Sequence, residues 1–313
     1  MHIMTESMKI LSVYFTEPTS MNNALSLFCQ AQGYDHRLEQ YEQVTDLSPS
    51  LLGQRFLVRH VLTKVNLELS IMSKSALENQ DQAQQYFEIV GALQKLRKVK
   101  NLATLIDCFS DELAYYCVQF AIGKHNLTSV VRELYPNGCS LSFAKRTIAG
   151  IGSVIEKMHK RGIMHRKINE GVIGMRLCKG ISASASSSCS SYKVGIIGGL
   201  DHVFALKPRT KVIQHFEDMH RAMQAPEVLA GEAHDRSSDV WMLGQLAYRL
   251  LSPPRDNTSQ PAILVEDESE PDWLPCVPKM VKFIIFAMVK PKPKDRPTIS
   301  QVLAHQWFTK SSD

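Results

Sequence analysis

The sequence predicts an α+β fold in two parts. A small β-rich N-terminal lobe is expected over residues 41–120 and a larger, mainly helical C-terminal lobe over residues 121–310, with residues 1–40 as an N-terminal extension. Two patterns carry this expectation. Residues 41–72 alternate apolar and polar side chains in short runs broken by turn residues, as half-buried antiparallel strands do. Farther on, Ser142 to Arg161 reads as one long helix that stops at Gly162, a residue suited to closing a helix. At 313 residues, 44% hydrophobic and 21% charged, the chain can bury one or two sizeable cores.

In chain order, Ala24 to Ala31 suggests a short helix within the extension. Tyr41-Glu42-Gln43-Val44 is then expected as the first strand, followed by a turn around Ser48-Pro49-Ser50. Gln54 to Arg59 forms the second strand, Leu62-Thr63-Lys64 a turn, and Leu67 to Met72 the third strand. Gln82 to Leu96 reads as a helix with Phe87, Val90 and Leu93 on one apolar face. Apolar runs follow at Leu102 to Phe109 and Ala114 to Phe120. Beyond the long helix, short strands at Val172 to Leu177 and Tyr192 to Ile197 flank a serine-rich tract, residues 180–191, whose composition is that of a flexible loop tip. Phosphorylation of that tract is a secondary reading.

Composition narrows the function classes. The cysteines (Cys29, Cys108, Cys117, Cys139, Cys178, Cys189, Cys276) are scattered and lack CxxC spacing, so neither a disulfide framework nor a zinc site is suggested and a reducing compartment is expected. The net charge of +5 is dispersed apart from Lys290 to Lys294, which argues for a solvated surface and against a nucleic-acid site. The longest apolar runs, such as Phe283 to Val289, are far short of a bilayer span, and the N-terminus shows no basic-then-apolar signal pattern. No membrane role is expected, and the cytoplasm is the default location.

Four segments stand in a telling order: Gly162-Ile163-Met164-His165-Arg166, Ala225-Pro226-Glu227, Ser238-Asp239-Val240-Trp241-Met242-Leu243-Gly244 and Asp295-Arg296-Pro297-Thr298. The last continues into Gln301 to Phe308. Each is weak alone, but together, with their intervals, they resemble a protein-kinase-like domain, most like calmodulin-dependent-type serine/threonine kinases. The resemblance implies a bilobal kinase fold, with Ala121-Ile122-Gly123 as the hinge between lobes and the helix Gln82 to Leu96 as the regulatory helix.

Set against that family, the chemical positions are altered. The glycine-rich phosphate loop corresponds to Ser48-Pro49-Ser50-Leu51-Leu52-Gly53, where only Gly53 is kept and Pro49 removes an amide donor. The third-strand lysine corresponds to Ser70, which has neither the charge nor the reach. Its helix partner would be Glu88. Arg55 and Glu68 replace the small apolar residues that close over the purine and, unless the register slips, are expected to pair across the pocket roof, since burying either charge alone costs several kcal/mol. Lys167 replaces the aspartate that accepts the substrate proton, and an ammonium can do so near neutral pH only if its pKa falls by roughly three units. Val172 replaces the metal-binding asparagine, and Ile196-Ile197-Gly198 replaces Asp-Phe-Gly. Met219-His220-Arg221 stands where Gly-Thr-Pro is usual.

The bracing positions implied by the resemblance are kept: Glu227 with Arg296 as a buried ion pair, Asp239 as the anchor of the catalytic loop, and His165 and Arg166 as structural members of that loop. The expectation is therefore a non-enzyme, a pseudokinase with no nucleotide, metal or other cofactor. It would work as a scaffold or allosteric partner of another protein, either an active kinase or a cytoskeletal assembly, the latter implying cytoskeletal association. Two alternatives stay open: an atypical active serine/threonine kinase using displaced groups, with Lys64 for phosphate and Asp201 for metal, and a structural cytoskeletal component.

Overall fold

Strand-forming, alternating sequence from Tyr41 builds a hairpin and then a sheet. The computed structural model describes residues 37–123, 125–178, 191–205, 223–233, 235–253 and 271–309. The serine-rich tract, the helix expected near Ala24 and the Met219-His220-Arg221 segment lie outside them. The chain divides into two units: residues up to Gln80 with Ile106–Ala121, and Asp81–Leu105 with residues from Ile122 onward.

The first unit is a five-stranded antiparallel sheet of β1 (Tyr41–Ser50), β2 (Gly53–His60), β3 (Asn66–Ser73), β4 (Leu105–Ser110) and β5 (Ala114–Phe120), in the order β1-β2-β3-β5-β4. Strand periodicity puts Phe56, Val58, Leu67, Leu69, Tyr116 and Val118 on one face, where they pack with Leu38, Tyr41 and Phe109 as the core. Phe109 and Tyr116 stack with centroids 4.9 Å apart. The opposite face carries Arg55, Glu68, Ser70 and Cys117, because Arg55 pairs across from Ser70 and Ser70 from Cys117.

Ser48-Pro49-Ser50 is strand, not turn. The hairpin bend falls at Leu51-Leu52, between the paired residues Ser50 and Gly53. Proline is accommodated because β1 is an edge strand whose register shifts between Leu47 and Ser50. Gly53 makes the bend workable: its φ is +98°, and a Cβ there would collide with the Ile71 carbonyl.

The second unit begins with α1 (Gln80–Leu96), whose last sixteen residues belong to it. Its buried stripe is Tyr86, Ile89, Val90, Leu93 and Leu96. Phe87, expected on that face, is 49% exposed; at 100° per residue it falls one step outside the stripe centred on Tyr86, Val90 and Leu93. The remaining elements are α2 (Leu127–Leu134), α3 (Leu141–His159), β6 (Ile163–Met164), β7 (Ile173–Cys178), β8 (Ser191–Ile197), β9 (Phe204–Ala205), α4 (Pro226–Leu229), α5 (Ser237–Leu251), α6 (Lys279–Met288), α7 (Ile299–Ala304) and α8 (Gln306–Thr309). β6 pairs with β9 and β7 with β8, both antiparallel.

Ser140 opens α3 by accepting the Phe143 N–H at 3.3 Å, and Gly162, at φ +74°, turns the chain after the helix has ended. α5 is buried along almost its whole length, from Ser238 to Leu251, and so forms the centre of this unit. Thr298 and Gln301 close a capping box on α7. The architecture is the bilobal α+β arrangement expected of a protein-kinase-like chain: sheet first, helices after. Among the described residues no helix is long and apolar enough to cross a membrane.

Candidate active site

The loop after β6 is shaped by one buried carboxylate. Asp239, on the first turn of α5 and fully buried, accepts the backbone N–H of Arg166 on Oδ1 at 2.8 Å and that of His165 on Oδ2 at 2.9 Å. His159, near the end of α3, donates to Oδ2 at 2.8 Å. Burial alone would push the Asp239 carboxyl up, but the His159 hydrogen bond, the charge of His159 and the His165 amide outweigh it, so its pKa lies below the ordinary value. The same contacts hold Arg166 at φ +70°, a strained conformation for a non-glycine residue.

His165 is neutral in this setting. Its Nδ1 accepts the Lys167 N–H at 3.2 Å, so Nε2 carries the proton and donates to the Gly198 carbonyl at 3.0 Å. Burial lowers its pKa, against the raising effects of Asp239 and the Gly198 carbonyl. Arg166 is nine-tenths or more buried, and burial brings its pKa down to about 10 despite Asp239. A further pair steadies the loop: Arg249 of α5 donates to both oxygens of Glu170 at 3.2 and 3.3 Å, with side chains only 5% and 15% exposed.

Lys167 does not point at empty space. Its Nζ stands 3.0 Å from Asp201 Oδ2, and His202 Nε2 lies 3.5 Å from the same oxygen. Asp201 and His202 sit in a short 3₁₀ turn, Leu200–His202, entered through Gly199 at φ +70°. Asp201 is 7% exposed and Lys167 20%. The result is a cation and a carboxylate side by side on an anchored loop.

The residues where the resemblance places metal ligands are hydrocarbon. Val172 packs so closely that a Cβ on Gly199 would lie 2.7 Å from its Cγ1, while Ile196 Cγ2 and Ile122 Cγ2 would lie 2.9 and 3.2 Å from a Cβ on Gly174. Magnesium needs oxygen ligands at near-octahedral angles, which the hydrocarbon side chains of Val172 and Ile196 cannot supply. Val172 and Ile196 therefore do not fit a magnesium ion.

In the first unit, Arg55 and Glu68 meet in a bidentate pair, Nε to Oε1 at 2.8 Å and Nη2 to Oε2 at 2.9 Å, with side chains 21% and 16% exposed. Ser70 is 1% exposed, and its Oγ has no hydrogen-bond partner among the described residues. Lys64, offered in sequence as a displaced phosphate ligand, lies at the β2–β3 turn at φ +56°, 3.9 Å from Glu42, with both side chains largely exposed. Glu88, on α1, accepts from Gln84 at 3.1 Å. Glu227 and Arg296 form two 2.7 Å hydrogen bonds, with side chains 3% and 0% exposed, and Arg296 also donates to the carbonyls of Ser237, Lys290 and Pro291 and lies over the Trp241 ring at 4.9 Å.

Sequence reading missed the Lys167–Asp201 contact and the Glu170–Arg249 pair, and took Asp201 only for a displaced metal ligand. The signal available was weak: Gly198-Gly199 marks a bend after β8, and a bend there changes which following side chain faces the loop.

A family model described as "Protein kinase domain" matches residues 206–308. The human protein "Hormonally up-regulated neu tumor-associated kinase" is 24% identical over 259 residues, which is 80% of this chain and 34% of that protein. "Aurora kinase" of Schizosaccharomyces pombe is 22% identical over 290 residues, covering 90% of this chain and 75% of its own. "Calcium-dependent protein kinase 13" of Oryza sativa subsp. japonica is 24% identical over 280 residues, 86% of this chain and 47% of that one. The chain thus spans about a third of the length of the human relative. These proteins are named as kinases, and the matched model is that of a kinase domain; both point to an enzyme and overturn the expectation of a non-enzyme. By fold, ordered motifs and relatives alike, the chain is similar to protein kinases.

Proposed function

We propose that the chain is an atypical protein kinase, transferring a phosphoryl group from a nucleoside triphosphate to a protein hydroxyl with displaced charged groups. The observation that carries this reading is the Lys167–Asp201 pair, a cation and a carboxylate 3.0 Å apart beside a loop that Asp239 holds rigid. Phosphoryl transfer asks the protein mainly for positioning and for charge aimed where negative charge develops. In this reading the Lys167 ammonium turns to the transferring phosphoryl oxygens. Asp201, released from its partner, accepts the proton of the attacking hydroxyl as the P–O bond to the nucleotide breaks and the new one forms.

Lys64 takes no part, since it is engaged with Glu42 at the exposed β2–β3 turn. The kinase names of the relatives support the reaction class. The test is incorporation of label from γ-labelled ATP into a general protein substrate and into the chain itself. Transfer is expected from the native chain and is expected to vanish in Asp201→Asn. Absence of transfer from the native chain, or equal transfer by Asp201→Asn, would overturn the proposal.

A further inference from the structure

Cys108 and Cys117 place their sulfurs 3.8 Å apart, Cys117 fully buried and Cys108 half-buried. The hairpin explains why. Asp111 donates its N–H to the Ala114 carbonyl at 3.1 Å, and Asp111 also accepts the Leu113 and Ala114 amides and the Tyr116 hydroxyl, pinning the bend. Counting back from the Asp111–Ala114 pair sets Phe109 opposite Tyr116, as their stacking requires, and Cys108 directly opposite Cys117. Alternation makes the cysteine pair a non-hydrogen-bonded one, where Cα atoms come within about 4.5 Å and side chains lie closest. That separation falls inside the range a disulfide spans.

We propose that Cys108 and Cys117 form an oxidant-sensitive dithiol, a modification site in the first unit. With hydrogen peroxide as oxidant, the partly exposed Cys108 sulfur attacks one peroxide oxygen and becomes a sulfenic acid, releasing water. The Cys117 sulfur then displaces the sulfenic oxygen as a second water, giving a disulfide; the two thiol hydrogens leave in the waters, and the peroxide is reduced by two electrons. Closing 3.8 Å to a bond of about 2 Å needs side-chain rotation and little backbone movement. A reversible pair of this kind suits a reducing compartment, where disulfides are transient and serve sensing.

Position gives the bond a consequence. Cys117 lies opposite Ser70 on β3, and Ser70 opposite Arg55 on β2, so Cys108, Cys117, Ser70 and Arg55 form one row across four strands on one sheet face. A disulfide fixes the outer end of that row. Two other cysteines differ: Cys139 is buried, which pushes its thiol up to about 12, and Cys276 is exposed.

The test treats the full reduced chain with hydrogen peroxide and maps disulfides by mass spectrometry. A Cys108–Cys117 linked peptide is expected, reversible by dithiothreitol, with slowed amide exchange along β4 and β5. In Cys117→Ser, a sulfenic acid trapped by dimedone is expected at Cys108. Because the mapping is made on the native chain, a misfolded variant does not blur the outcome. Oxidation that leaves both thiols free, or that links either one to another cysteine instead, would overturn the proposal.

Discussion

Lys167 Nζ and Asp201 Oδ2, thirty-four positions apart in the chain, meet at 3.0 Å. The backbone on the Lys167 side is held by Asp239 through the amides of His165 and Arg166, and Asp201 is presented by a 3₁₀ turn that opens at Gly199. Both backbones of the pair are thus held by contacts of their own.

Removing one partner of the Glu227–Arg296 pair should unsettle the second unit severely. Arg296 has no exposed side-chain surface and two bonds of 2.7 Å to Glu227, so Glu227→Ala leaves a buried, half-satisfied guanidinium at a cost of about 3–5 kcal/mol. For a unit of this size that is a fall in Tm of roughly 6–20 °C. Thermal denaturation of native and variant chains checks it; a shift within a degree or two would show that the pair is not braced as described.

Stability should fall in mild acid, in part through His202. Its side chain is 8% exposed, and burial first, then the cations Lys167 and Arg166, hold its pKa down to about 4 against the raising charge of Asp201. Unfolded, it protonates below about pH 6.5. Between those values the unfolded chain binds the extra proton, so stability is fully present above about pH 6.5 and is lost as pH drops toward 4, by about 1.4 kcal/mol per pH unit at most. His202→Gln should flatten this part of the curve, read from urea midpoints at pH 7 and pH 5. An unchanged difference between the two pH values would contradict the assignment.

Ser70→Ala is expected to stabilise the first unit. The Ser70 hydroxyl is buried with no hydrogen-bond partner among the described residues, and removing an orphaned polar group should gain on the order of 1 kcal/mol. Chemical denaturation measures it, and a clear loss of stability would mean that the hydroxyl has a partner in solution.

Much of the fold was legible because its signals are local. Alternation placed β2 and β3, and with it the Arg55–Glu68 meeting, since both residues face the same side of adjacent strands. The Glu227–Arg296 pair and the hold of Asp239 on the loop after β6 were implied by the motifs that carry the kinase resemblance. What was not legible depends on bends. The strand through Pro49 continues because β1 is an edge, a fact of topology that turn propensity cannot anticipate. The meeting of Lys167 with Asp201 depends on the left-handed Gly199, and that of Cys108 with Cys117 on the Asp111 hairpin. Lys64, which the sequence places in a turn, stands there 3.9 Å from Glu42.

The most direct measurement is a double-mutant cycle on the rate of phosphoryl transfer, using native chain, Lys167→Ala, Asp201→Asn and the double variant. If the pair acts as a unit, each single variant loses on the order of 10²-fold or more, as loss of a proton acceptor or of a stabilising charge does. The double variant should then lose little beyond the worse single one. Equal rates in all four proteins, or losses that simply multiply, would contradict a catalytic Lys167–Asp201 pair.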